Sequence, residues 1–345
     1  MNILFLGETY RADAQTWIKG IEQNSGVKIS TLEVKPSKIR IIRLLYLFLF
    51  FGKIAKINGT QWDIVLAERS TSYGFFSLFV RAKVRVVAQQ GITDVYPVTG
   101  FSSVIKRAIK GIVYRNVDWI HAWGHVMVPS MLYAGADPAK IQVLPKGINL
   151  GLYKGSKSNS SQTRKTGIVT RSLFPDYRHE DILRAIKLVS KTFPEVLVWI
   201  VGDGVLRVDL ESLALELGIT EQVKFLGRVP NNELPQLLAQ SDFYISVPVS
   251  EGVSASLFEA MATRNFPIVS DLPAYLAFIM DRTNGILVPV GNPAALAEAI
   301  LMFLNSPDKY DSAVSKNREY IETAVDFDKN MKEIYQKYIT ILKNK

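Results

Sequence analysis

At 345 residues the chain is long for one compact core and comfortable for two domains, and its 48% apolar and 21% charged residues are those of an ordinary globular protein. The absence of cysteine excludes disulfides and thiolate metal sites, and three histidines, His121, His125 and His179, leave little from which to build a His-rich metal site. The net charge of +9 is uneven, because residues 1–160 hold 21 Lys+Arg against 9 Asp+Glu while the remainder is mildly acidic; this points to an anionic partner on the N-terminal side, or to basic residues that merely keep a surface soluble.

Residues 2–6 read as a first strand, followed by the Gly7 turn and a helix through Trp17 and Ile21. Residues 1–7 do not have the basic and then apolar pattern of a secretory leader, so the expected location is cytoplasmic. Further strands are expected at 27–34, 63–67, 84–89, 119–122 and 141–144. Apolar runs alternating with amphipathic stretches predict a parallel sheet covered by helices. Between the second and third strands, the uncharged apolar core of residues 44–51 is far short of the roughly 20 residues that cross a bilayer. Basic residues flank it, as they do the 101–110 stretch, so these segments fit either an interfacial surface for anionic lipids or buried helices with basic ends. His121 and His125 are spaced i, i+4, but the strand-like start and Gly124 argue for packing or hydrogen-bonding roles over a metal pair.

Residues 151–166 break the rhythm with a polar, small-residue run of linker composition. The alternation then restarts, with strands expected at 167–170, 196–201, 223–226, 243–247, 267–270 and 285–288. Helices are expected at 180–193, 206–217, 232–239, 254–263, 272–280 and 293–305, and a helical, amphipathic tail over 308–345. The fold class is therefore α/β, with two doubly wound Rossmann-like domains facing a central cleft at the carboxyl ends of their sheets.

The most informative segment is Pro248-Val-Ser-Glu-Gly-Val-Ser-Ala-Ser-Leu-Phe-Glu-Ala-Met-Ala262. It follows an apolar strand and opens a helix, so backbone N–H groups at a small-residue turn can face an anion such as a diphosphate. Glu251 lies in the loop and Glu259 eight residues on, inside the helix. A carboxylate only accepts hydrogen bonds, and a pair of sugar or ribose hydroxyls is a natural partner. The same residues fit a plainer reading: Ser256 and Glu259 have the spacing of a capping box, and Glu251 that of a solvated loop carboxylate.

This segment resembles the E-x7-E region of retaining glycosyltransferases of the GT4 type, which have the GT-B fold. Four further segments resemble that family in order: Ile141-Gln-Val-Leu-Pro-Lys-Gly-Ile-Asn149, Val198-Trp-Ile-Val-Gly-Asp-Gly204, Val223-Lys-Phe-Leu-Gly-Arg-Val229 and Asn284-Gly-Ile-Leu-Val-Pro289. The resemblance implies an acceptor-binding domain over residues 1–160, a nucleotide-sugar domain over 163–325, and a last helix, 326–345, crossing back to the first. It implies that Glu259 holds the donor ribose, that Glu251 contacts the transferred sugar, and that the turn at Gly252, Val253, Ser254, Ala255, Ser256 and Leu257 faces the diphosphate. Gly202 would line the donor site, the base would lie near Arg228 and Val229, and Arg171 would neutralise the departing diphosphate through its planar fork.

Two departures stand out. Where the family carries a Lys after that Arg, this chain has Tyr177 and then Arg178, so Arg178 is a candidate substitute. Where relatives have H-G-x-D, it has Gln90-Gly-Ile-Thr-Asp94. Gln90 can bond a sugar hydroxyl but takes no proton, and Asp94 is a candidate for orienting the acceptor. On the same acceptor side, Gly7 lacks the usual second glycine. The implied reaction moves a hexose-type sugar from a nucleoside diphosphate sugar to a hydroxyl of a glycan or lipid-linked acceptor, with no cofactor and no metal required. No nucleic-acid reader motif accompanies the basic surplus. The alternatives are a nucleotide-sugar 2-epimerase of the same fold and a non-catalytic nucleotide- or glycan-binding relative.

Overall fold

The structure is a computed structural model describing residues 1–35, 39–89, 101–153 and 165–345. The chain forms two compact units, Met1–Lys146 together with Phe327–Lys345, and Gly147–Asp326.

In the first unit β1 (Ile3–Leu6), α1 (Ala12–Ser25), β2 (Ser30–Leu32), α2 (Arg40–Ile57) and β3 (Trp62–Glu68) lead into a π-type turn, Arg69–Gly74. Then come α3 (Phe75–Ser77), β4 (Ala82–Gln89), α4 (Phe101–Asn116), β5 (Trp119–Ala122), α5 (Val128–Tyr133) and β6 (Ile141–Val143). The six strands are all parallel in the order β2-β1-β3-β4-β5-β6. β1, β3 from Ile64 onward and the second half of β4 are continuous buried runs, as strands covered on both faces require. β2 is shorter than its 27–34 apolar pattern predicts: it is an edge strand bonded only to β1, and its residues are half-buried or exposed.

The second unit contains β7 (Thr166–Val169), α6 (His179–Val189), β8 (Leu197–Val201), α7 (Arg207–Glu216), β9 (Val223–Gly227) and α8 (Leu234–Gln240). It continues with β10 (Phe243–Ser246), α9 (Ala255–Ala262), β11 (Phe266–Ser270), α10 (Pro273–Leu276), β12 (Ile286–Val288), α11 (Pro293–Asn305) and α12 (Asp311–Ala324). Its parallel sheet runs β12-β11-β10-β7-β8-β9, which counted from β7 is the dinucleotide-binding order 3-2-1-4-5-6. α10 is a single turn where residues 272–280 predict a longer helix. The side-chain oxygen of Asn284 accepts from the Met280 N–H, and its amide donates to the Phe278 carbonyl, so that stretch is closed by loop bonds.

The division between units falls at residues 146/147, not in the polar 151–166 stretch. Ile148 pairs with Asp326, and Tyr153 packs with Leu257, Phe258 and Met261 in the core of the second unit. The last helix, α13 (Phe327–Lys343), belongs to the first unit. Its Tyr338 is fully buried and its hydroxyl accepts from Trp17 Nε1 at 3.1 Å, while Gly20 of α1 leaves room for Met331 and Phe327.

Candidate functional site

Doubly wound sheets bind ligands outside the carboxyl ends of the strands where the winding reverses. In the second unit that point lies between β7 and β10, the strands from which the chain leads to Arg171 and Glu251. The structure brings these two side chains together in an ion pair, both largely buried. Arg171 Nη2 also donates to Ser254 Oγ (2.6 Å) and reaches the Tyr275 hydroxyl at 3.5 Å, while its Nε reaches Ser246 Oγ at 3.4 Å. Tyr275 is itself held by Ser246 at 2.9 Å, and the ring of Tyr177 lies 5.3 Å from the guanidinium. None of these bonds uses Nη1. Burial works against the Arg171 charge, but Tyr244, Tyr275 and Glu251 outweigh it and keep the group firmly protonated.

Gly202 explains how Arg171 is held. It ends the β8 turn at φ +146°, and a Cβ there would overlap the Arg171 carbonyl; a Cβ on Gly204 would overlap that of Leu173. The two glycines therefore serve close approach of the turn after β8 to the backbone that carries Arg171. His179, the first residue of α6, is buried on the same loop; burial, with the Arg171 charge adding, lowers its ring pKa to about 4, so it is neutral.

α9 begins at Ala255 and its cap is Ser254, whose Oγ accepts from the Leu257 N–H at 3.3 Å. The capping box expected from Ser256 and Glu259 is therefore not formed, because the helix starts one residue after Ser254 and Glu259 lies in its second turn. Ser256 instead bonds the Tyr244 hydroxyl at 2.8 Å, and Leu257 is core. The first-turn amides of Ala255 and Ser256 have no intrahelical acceptor, as at any helix start. Gly252 N–H donates to its neighbour Glu251, and Val253 packs half-buried on the core.

The Glu259 carboxyl is bonded by the phenol of Tyr153; burial raises its pKa above the ordinary value while that bond and the Arg171 charge oppose the rise. Tyr153 is fixed in turn by Arg318, whose Nη1 donates to the carbonyls of Tyr153 and Ala262. Arg228 is exposed and Val229 half-buried, just after β9. Arg178 is engaged elsewhere: Nε and Nη2 make a two-pronged bond to Asp181 at 2.8 and 2.9 Å, and it adopts a left-handed backbone at φ 54°. The position beside Arg171 is taken by Tyr177, not by Arg178.

In the first unit the winding reverses between β1 and β3. Gly7 is buried there, where a Cβ would meet the Phe5 ring and Glu68 Oε2, which accepts from Glu8 N–H at 2.9 Å. Glu8 pairs with Arg69 at 2.6 Å and Thr9 bonds Glu33. Gln90 and Asp94 lie outside the described residues. His121 is buried, stacked on Trp119, and its Nε2 lies 2.7 Å from the Leu144 carbonyl; a carbonyl only accepts, so Nε2 carries the proton. His125 is exposed, and no metal-ligand cluster exists among the described residues.

Sequence reasoning missed Tyr153, Ser246, Tyr244, Tyr275 and His179 in this site. Only the fold shows that Ser246 and Tyr275 bond Arg171, that Tyr153 bonds Glu259, and that Tyr244 bonds Ser256 at the start of α9.

Residues 155–320 match the family Glycosyl transferases group 1. The chain is 24% identical over 355 aligned positions to a putative glycosyltransferase, EpsD, of Bacillus subtilis, covering 95% of this chain and 88% of the relative. It is 25% identical to a UDP-Gal:alpha-D-GlcNAc-diphosphoundecaprenol alpha-1,3-galactosyltransferase of Escherichia coli over 61% of this chain and 56% of that one. Among solved structures, Anabaena HepE in complex with UDP superposes over 100% of both chains with a TM-score of 0.78 at 17% identity. HepE has also been solved with UDP-glucose. The two parallel sheets are thus those of the GT-B fold, and the stretch that matches the group 1 family model lies within the second unit.

Proposed function

We propose that the protein is a retaining, GT4-like glycosyltransferase that moves a hexose-type sugar from a nucleoside diphosphate sugar to a hydroxyl of a glycan or lipid-linked acceptor. The observation that carries this reading is the meeting of Arg171 and Glu251 at the reversal point of the second sheet, beside the start of α9. As the bond from the sugar's anomeric carbon to the diphosphate breaks, negative charge grows on the leaving oxygen. A preset guanidinium and helix-end amides stabilise that charge without reorganising, so the reading calls on no metal or cofactor. Glu251, fixed by Arg171, would present its remaining lone pairs to the sugar hydroxyls. Glu259 would accept from the ribose diol, with the base near Arg228 and Val229. Gly7, Gln90 and Asp94 are the acceptor-side candidates. The names of relatives acting on diphosphoundecaprenol-linked sugars support a place in cell-surface polysaccharide or glycolipid synthesis. The basic N-terminal half supports a peripheral position on the cytoplasmic face of a membrane.

The test is a thermal-shift panel of UDP, GDP, ADP and their common sugars on wild type and Glu259→Ala. One nucleotide series should stabilise the wild type by several degrees and the variant far less. No shift with any nucleotide would sink the reading.

A further inference from the structure

The helix α2 presents an apolar surface in the wrong direction for a globular domain. Its inward side is conventional: Phe50 and Ile54 are buried, and Phe50 packs edge-on against Phe76 and Tyr73 at 4.8 and 6.0 Å. Its outward side carries Ile41 (79% exposed), Phe48 (73%), Leu45 and Leu49, and Phe51 and Phe79 extend the patch at the helix flank, with their rings 5.2 Å apart. Contiguous exposed apolar surface of this kind marks an interaction site.

The position of the patch is as informative as its chemistry. The C-terminal end of α2 lies at the amino edge of the sheet, where the Ile57 carbonyl accepts from Trp62 Nε1 at 3.3 Å. From there α2 runs back toward the carboxyl edge, where the long side chain of Lys53 donates through Nζ to the carbonyl of Glu33, just past β2, and Phe50 packs on Tyr73, beyond the end of β3. The turns from Arg40 to Leu49, about 15 Å long at 1.5 Å per residue, lie toward that carboxyl side. The outward apolar residues Ile41, Leu45, Phe48 and Leu49 sit on these turns. At the same edge α4 starts, with Val104, Ile105, Lys106 and Arg107 exposed in its first two turns.

The charge along the two helices has one sign. From Lys35 to Lys56 the sequence has six basic residues and no acidic one, and α4 adds four basic and no acidic ones. An exposed apolar stripe on a helix whose charged residues are all cationic fits an anionic lipid surface, where the side chains enter the acyl boundary and the cations meet headgroups. No described helix is long and apolar enough to cross a membrane.

We propose that the N-terminal half of α2 is an interfacial helix that inserts into the headgroup region of an anionic bilayer. It holds the carboxyl edge of the first sheet toward the lipid, with Lys106 and Arg107 of α4 as a second electrostatic contact. This deepens the lipid-linked part of the proposed function and rests on that reading for its purpose. Its chemistry lies wholly in the first unit, so the two are tested separately.

The experiment uses the full chain, vesicles of phosphatidylcholine with or without phosphatidylglycerol, and Phe48→Trp as a reporter. Expected is co-sedimentation with the anionic vesicles only, weakening as salt is raised. On those vesicles the indole introduced by Phe48→Trp should add a blue-shifted emission, absent from wild type, that brominated acyl chains quench. Leu45→Ser/Phe48→Ser should lower vesicle affinity at least tenfold with its melting temperature and nucleotide-induced shift unchanged, which separates a failed surface from a failed nucleotide site. The proposal is overturned if the double variant binds vesicles like wild type, or if wild type ignores anionic vesicles. A wild-type dimer that the double variant turns into a monomer would equally overturn it, since the patch would then be covered by a second copy.

Discussion

Arg171 and Glu251, 80 residues apart in sequence, are each other's principal charge partner at the reversal point of the second sheet. With both side chains largely out of water, neither is comfortable without the other, because an unpaired buried charge costs more than the pair contributes. Arg171→Met and Glu251→Gln should each destabilise the protein, and the double variant should be less destabilised than the sum. A double-mutant cycle by urea unfolding should return about 1–3 kcal/mol of coupling. Additivity within about 0.5 kcal/mol would show the pair to be energetically idle.

Gly202→Ala should be far more damaging than a surface substitution. The new methyl would have to displace the Arg171 carbonyl, and φ +146° is closed to an L side chain. A loss of about 2–4 kcal/mol is expected, together with a weaker nucleotide-induced shift because Arg171 moves. A variant with wild-type urea midpoint would mean that the loop yields at no cost.

Nucleotide binding should depend on pH through Glu259. The ionised carboxylate is the form that accepts from a diol, and burial raises its pKa, with the Tyr153 phenol opposing. Affinity should therefore decline on acidification at a pH above the ordinary carboxylate range, by about tenfold per unit once below the pKa. Tyr153→Phe should move that decline to higher pH. Calorimetric titration between pH 5 and 8 decides it, and superimposable profiles would remove Tyr153 from the site.

The first unit should lose stability in mild acid through His121. Burial lowers its pKa to about 4 from 6.5, so its contribution is fully present above pH 6.5 and is lost as pH falls from there toward 4. At 1.36 kcal/mol per unit the loss reaches about 3 kcal/mol. Four of the five tryptophans lie in this unit, Trp17, Trp119 and Trp123 around the imidazole, so tryptophan-detected unfolding follows it. A flat profile over that range, or one unchanged in His121→Phe, would assign the acid sensitivity elsewhere.

Much of this architecture was legible from residue patterns. The buried strands of both sheets have uninterrupted apolar runs, and Arg171, Glu251 and Glu259 stand at positions where chain order alone marks a loop or helix. Three things were not. Tyr153 lies in the 151–166 run whose composition reads as a linker, and its packing on Leu257 and Phe258 is a long-range fact. The cap of α9 falls on Ser254 and not Ser256, because both serines suit the role and only the path from β10 selects between them. The outward face of α2 was hidden because a helix apolar on every side has no periodicity from which a buried face can be read.

The separation of α13 from the rest of its unit has a consequence for synthesis. Residues 1–146 leave the ribosome first, yet Trp17 and Gly20 await Tyr338 and Met331, which follow the 180 residues of the other unit. The second unit is contiguous and can close on itself as soon as Asp326 has emerged. The nascent first unit must meanwhile carry an uncovered aromatic face, so of the two units the one begun earlier is the one finished later.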